Sequence, residues 1–174
     1  MSPQIIFQIQ LVLGYVTCLL CVGAWLMPRL RTMSRFSVQR VIAAIHSFRF
    51  FGLVFVVPGV VGPNLPAGFA TSAAYGDFAT GLLAIMALLT VRIRPLFWLF
   101  VVAFNVVGTI DLLGAYYHAM RLGLPFVAGQ LGAAYVIPIV YVPVLMITHA
   151  IAFHGLVRPL FAKNPAITGK ALAS

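Results

Sequence analysis

The sequence predicts an all-α membrane protein, a bundle of five transmembrane helices in one domain over residues 1–174. Three observations predict it. The chain is 63% apolar and only 7% charged, whereas a soluble domain is about half apolar and a quarter charged; so few charges leave most of the apolar surface to be covered by lipid. Five apolar runs reach the roughly 20 residues that a spanning helix needs. The basic residues sit in the short connections between those runs instead of on one face.

In order, the runs are residues 4–27, 41–61, 72–91, 95–117 and 126–156. Irregular backbone cannot face lipid, and the alternation of a barrel strand is absent, so each run is read as a helix. The first has no basic leader, is long for a signal peptide, and is followed at once by arginines, so it is expected to stay in the membrane. The stretch Gly62–Thr71, with two prolines and two glycines, is expected to be a bent cap. The last run is long enough to tilt, and Pro138 and Pro143 are expected to kink it.

Charge gives the direction. Arg29, Arg31, Arg35 and Arg40 lie after the first run, Arg92 and Arg94 after the third, and Arg158, Lys163 and Lys170 after the fifth; only Arg121 lies on the other side. Nine against one puts the N-terminus outside and the C-terminus in the cytoplasm. With nine Arg against two Lys and abundant Ala, Gly and Val, the host reads as bacterial and the location as the cytoplasmic (inner) membrane. The net charge of +9 does not indicate nucleic acid, because the cations are dispersed as topology signals. The partners expected are the bilayer, a small-molecule or lipid ligand, and a homo-oligomer or larger membrane complex.

The polar residues within the runs carry what functional signal there is. The only two acidic residues, Asp77 and Asp111, both fall inside spans, where an ionisable group is expensive and defaults to a functional hypothesis. Arg49 is the one cation at depth. Counted from the cytoplasmic basic residues at 1.5 Å per residue, His46 lies ~9 Å in, Arg49 and His149 ~13 Å, Asn105 ~15 Å, Asp77 ~22 Å and Asp111 ~24 Å. That count predicts two layers, with Arg49 on the order of 10 Å below the aspartates. Helical spacing puts His46 and Arg49 on one side of the second helix, and Asp77, Thr80, Gly81 and Ala84 in a small-residue stripe on the third. On the fourth, Asn105, Gly108 and Asp111 share a face continued by Ala115 and His118. On the fifth, Pro138 and His149 share a side that His154 does not.

His46, Arg49, Asp77, Asn105, Asp111 and His149 are therefore the candidate site, either pairing to hold the bundle or lining a place for a ligand, an ion or a proton. His46 and His149, at similar depth on different helices, are candidate axial ligands of a haem b, and Asp77, Asp111 and His118 are candidate ligands of a divalent metal. Cys18 and Cys21 lie mid-helix in an apolar setting and read as small hydrophobes. Trp25 reads as an interfacial anchor. No residues are set as nucleophile and base, glutamate is absent, and no glycine-rich phosphate loop is present, so the chain leans away from being an enzyme.

Taken together, the landmarks His46-Ser-Phe-Arg49, Leu65-Pro-Ala-Gly-Phe-Ala70, Tyr75-Gly-Asp77, Asn105-Val-Val-Gly-Thr-Ile-Asp111, Pro138, Pro143 and His149 resemble an uncharacterised family of small bacterial five-helix membrane proteins. The resemblance covers about residues 40–155 and implies the topology and the landmark residues, with no assigned activity. The function expected is binding, or helping to translocate, a small molecule, lipid or proton. The alternatives are a haem- or metal-containing redox or accessory protein, and a structural subunit of a membrane complex.

Overall fold

A computed structural model of the protein describes residues 1–157; Arg158, Lys163 and Lys170 lie outside the described residues. Among those described, the chain is helical, with five helices long and apolar enough to cross a membrane: α1 Pro3–Thr32, α2 Arg35–Val56, α3 Ala67–Leu89, α4 Arg94–Arg121 and α5 Ile137–Val157. The starts follow local chemistry. The Ser2 and Ser34 hydroxyls accept from the backbone N–H groups of Ile5 and Ser37, capping α1 and α2, and Pro95 opens α4, where a missing N–H costs nothing. In α1 and α5, π turns at Val22–Leu26 and Ile137–Tyr141 lie beside Pro28, Pro138 and Pro143, where the regular i−4 bond is lost.

Three span expectations are corrected. Helix α2 begins at Arg35 and not at residue 41, because Ser34 caps it. Helix α3 begins at Ala67, so only the part of Gly62–Thr71 up to and including Pro66 is irregular. Residues 126–156 do not form one kinked helix. A 3₁₀ segment at Leu124–Tyr135, broken at Val127 and at Gly132 (φ 54°, ψ −130°), precedes α5. Gly132 adopts a backbone open to glycine, and there Val60 O accepts from Ala133 N, while Gly62 N donates to Gln130 O at 2.7 Å. The two irregular segments thus satisfy each other's backbone as a cap.

That cap covers the end of the bundle holding the N-terminus. At the opposite, basic end Arg94 lies 3.9 Å over the Phe36 ring, Arg40 lies against the same ring, and Arg35 donates to Leu156 O. Two apolar clusters fill the interior. One, near the cap, includes Phe7, Phe55, Phe69, Leu124 and Leu131; the other, near the basic end, includes Val38, Ile42, Phe97, Phe104 and Ile151. Helix α1 is peripheral, packing on α5 and the 3₁₀ segment.

Helix α2 changes character midway. It is α-helical to Ser47 and 3₁₀ from Phe48 to Val56. In a 3₁₀ helix residues three apart eclipse, so Arg49, Gly52 and Phe55 form one buried ridge, with Phe48, Phe50 and Phe51 turned outward. An α-helical continuation would have carried Phe55 about 120° round the axis from Arg49.

Candidate functional site

Between the two apolar clusters lies a polar layer built around Arg49, which is 0% exposed. Its Nε donates to Asp77 Oδ1 at 2.7 Å, its Nη2 donates to Asp111 Oδ2, and its Nη1 donates to Gly108 O at 3.3 Å and to His149 Nε2 at 3.3 Å. Three helices are thereby tied to α2 by one side chain.

The expected vertical gap between Arg49 and the aspartates is absent, for two local reasons. Helix α2 starts at Arg35, so Arg40 lies within it and is no marker of its end. Beyond Ser47 the rise is also that of a 3₁₀ helix. Measured from the cap, Arg49 is seven residues from Val56, ~14 Å at 2.0 Å per residue. Asp77 is ten residues from Ala67 and Asp111 ten from Arg121, each ~15 Å at 1.5 Å per residue. The three charges share one level, and the two expected layers are one.

The remaining polar residues fix the histidine protons. Asn105 Nδ2 donates to Val101 O at 2.7 Å, so its Oδ1 is the acceptor facing His149 Nδ1 at 2.9 Å. His149 therefore carries its proton on Nδ1 and presents a bare Nε2 to Arg49. Thr148 Oγ1 donates back to the Val144 and Leu145 carbonyls, leaving its lone pair for His46 Nε2–H at 3.0 Å. Both imidazoles are neutral in this arrangement, and His46 Nδ1 is buried with no partner. The layer then contains one cation and two carboxylates.

Glycines make room for it. A Cβ on Gly52 would strike the Asp77 carboxyl, one on Gly76 the Asp111 carboxyl, and one on Gly108 would lie 2.7 Å from both His149 Nε2 and the Thr80 methyl. At Gly81 the added carbon would be 2.9 Å from Phe50 N, so α2 and α3 touch backbone to backbone. Sequence reasoning singled out Gly81 and Gly108, passed over Gly52, and quoted Gly76 within a landmark without giving it a packing role. Their signal was present: each stands one or three positions from an ionisable residue in its own helix. It also missed Gln39, buried with its Nε2 donating to Ala152 O, because residue 39 was placed before the span.

On the cap side the layer opens into a cavity of about 100 Å³. Phe7, Leu11, Phe55, Phe69, Leu112 and Ile137 are among its walls, and Asp77 and Asp111 form its floor; apart from these two, its polar lining is Gln8 and Tyr116. The Tyr116 hydroxyl shares a hydrogen bond with that of Tyr15 on α1. Arg49 is fully buried and does not line the cavity. A second, lateral groove between α1 and α2/α5 contains Cys18, Cys21 and Trp25; both thiols are free, and Arg29 lies against the Trp25 ring.

The cofactor candidates fit poorly. The His46 and His149 rings are 4.1 Å apart between centroids and in contact, which leaves no gap for a macrocycle, and every ring nitrogen but His46 Nδ1 is bonded, to Thr148, Asn105 or Arg49. Asp77 and Asp111 each give an oxygen to Arg49, and His118 stands two turns farther along α4 from Asp111. Among the described residues no three of His, Cys, Asp and Glu gather as a metal-ligand set. His154 is exposed, on a different side from His149.

Residues 6–157 match the family described as a domain of unknown function (DUF8737). The chain belongs to this family. The match includes α1, which the resemblance over residues 40–155 left out. No curated protein and no solved structure matches the chain.

Proposed function

We propose that this chain is a five-span protein of the bacterial cytoplasmic membrane that binds a small amphipathic molecule or lipid in the cavity above Asp77 and Asp111. The N-terminus and cap face outward, and the basic end faces the cytoplasm. Support for the membrane comes from the apolar side chains that ring the helices at high exposure, among them Val12, Leu20, Leu99, Ile110 and Leu113, a belt that only lipid covers without cost. Support for the orientation comes from Arg29, Arg31, Arg35, Arg40, Arg92 and Arg94 at one end against Arg121 at the other.

The observation that carries the binding reading is an apolar chamber with two carboxylates as its floor, the pattern of a ligand pocket: mostly apolar walls and a few convergent polar groups. A continuous proton path through the layer is disfavoured, because Arg49 donates in every direction and keeps its protons. Five helices with no internal repeat do not make a complete alternating-access carrier; a role in transport would belong to an oligomer or to a larger complex. A purely structural role is the second reading, favoured by the four hydrogen bonds that Arg49 donates within the bundle.

The test is a thermal-stability screen of the purified protein in non-ionic detergent, with short-chain alkyl ligands and extracted lipids, on wild type and on the cavity-filling variants Ala115→Phe and Ala73→Leu. Binding to the native fold raises its melting temperature. We expect shifts in wild type that the filled variants lose. No shift from any ligand, together with no molecule retained through purification, would leave the structural reading in its place.

A further inference from the structure

We infer that the molecule held in this cavity is a hydrophobic monocation, an amphiphile whose ammonium-type head group settles against Asp77 and Asp111 while its apolar part lies among the aromatic walls. The inference rests on the binding reading above and names the ligand class of that same site.

Charge count is the first argument. The hydrogen-bond directions leave His46 and His149 neutral, so among the described residues Arg49 is the only cation set against the two carboxylates. With both carboxylates ionised, one charge has no counterpart among the described residues, and an unpaired charge removed from water is costly. A proton on one carboxylate or a bound cation supplies the counterpart, and an arriving cation takes the place of that proton.

Which group is presented is the second argument, independent of the first. Arg49 is fully buried within the layer, while the Asp77 and Asp111 side chains each keep 9% of their surface open, and both line the cavity. A head group arriving from the cap therefore meets carboxylate oxygens and never the guanidinium. Anions are repelled at the floor, and a neutral head group gains a hydrogen bond without balancing the charge.

The walls complete the selection. Phe7, Phe55 and Phe69 place aromatic faces and edges around the chamber, surfaces that favour both an apolar chain and a nearby cation. Among the described residues the other polar lining groups, Gln8 and Tyr116, are uncharged and offer no competing cation. On the same side, Arg121 stacks on Tyr117 at the end of α4 and takes no part in the lining.

Three probes of equal chain length separate the alternatives: hexylammonium, hexanol and hexanoate, titrated calorimetrically into the protein in non-ionic detergent at fixed ionic strength. We expect hexylammonium to bind about tenfold or more tightly than hexanol, because its donor is itself charged and pairs with the carboxylate where the hydroxyl only hydrogen-bonds to it, and hexanoate to show no binding. Asp111→Asn should reduce the ammonium preference to near unity while hexanol binding persists, and Asp111→Glu, which keeps the charge, should retain the preference. Helicity of each variant is measured alongside; if Asp111→Asn does not fold, the wild-type order of the three probes still decides. Equal binding of hexanol and hexylammonium would overturn the cation assignment and leave the cavity reading intact. Binding of none of the three would overturn both.

Discussion

Gly108→Ala tests the polar layer directly, with Gly114→Ala on the same helix as its control. A methyl group at position 108 would fall 2.5 Å from Arg49 Nη1 and 2.7 Å from His149 Nε2 and the Thr80 methyl. None of the three can move freely. The guanidinium is held by Asp77 and Asp111, the imidazole by Asn105, and the Thr80 side chain by its bond to Gly76 O. Overpacking of this kind costs about 1–3 kcal/mol. Displacing Nη1 also loses its bonds to Gly108 O and His149, and each bond to a charged group carries about 1.5–3 kcal/mol. Against this, alanine in a helix gains about 1 kcal/mol over glycine. The net loss is about 3 kcal/mol, some of the bonding being recovered by relaxation. At Gly114 an added carbon meets nothing within 4 Å, so only the gain in helix propensity remains and the variant should equal or exceed wild type. The assay is reversible unfolding in mixed micelles with increasing SDS, followed by helical ellipticity. If the two variants unfold within about 1 kcal/mol of each other, the packing of Arg49 against α4 is not as described.

Three further outcomes follow from the same geometry. Arg49→Met should destabilise the bundle by roughly 3–5 kcal/mol by leaving two carboxylates unpaired, and adding Asp77→Asn and Asp111→Asn should recover most of it, since removing a whole ionic cluster costs less than breaking it; the same SDS titration reads both. Nitrogen NMR of labelled histidines should show His149 protonated on Nδ1 and His46 on Nε2, and Asn105→Ala should mix the His149 tautomers at a cost of about 1–3 kcal/mol; an unchanged His149 signal would refute the role given to Asn105. With Cys18 and Cys21 replaced by alanine, a cysteine at Asn64 should react with an impermeant maleimide in intact cells and one at Ile93 only after permeabilisation; the reverse pattern would invert the proposed orientation.

Much of the candidate site was legible in the sequence because ionisable residues stand out against so apolar a chain. His46, Arg49, Asp77, Asn105, Asp111 and His149 were all visible as polar interruptions of long apolar runs, and the structure brings the six into one layer. Their relative heights were not legible. Height depended on the Ser34 cap, which lengthened α2 at its start, and on the 3₁₀ run after Ser47, which stretched its end. The poor fit of the haem and metal candidates has a related reason: similar depth says nothing about whether two rings touch or stand apart, and a carboxylate does not reveal in sequence whether it meets an arginine.

What the sequence by itself determined is the set of five apolar helices and the gathering of arginines at one end, because length, hydropathy and charge are summed along a chain and need no neighbour. Only the tertiary structure decided that Arg49 joins Asp77 to Asp111, that neighbouring carbonyls dictate the proton positions of two histidines, and that the carboxylates, not the guanidinium, floor the cavity. Those are contacts between helices, set by where Gly52, Gly76, Gly81 and Gly108 let one helix approach another. A glycine shows in sequence only that space is available; the packed bundle shows what fills it.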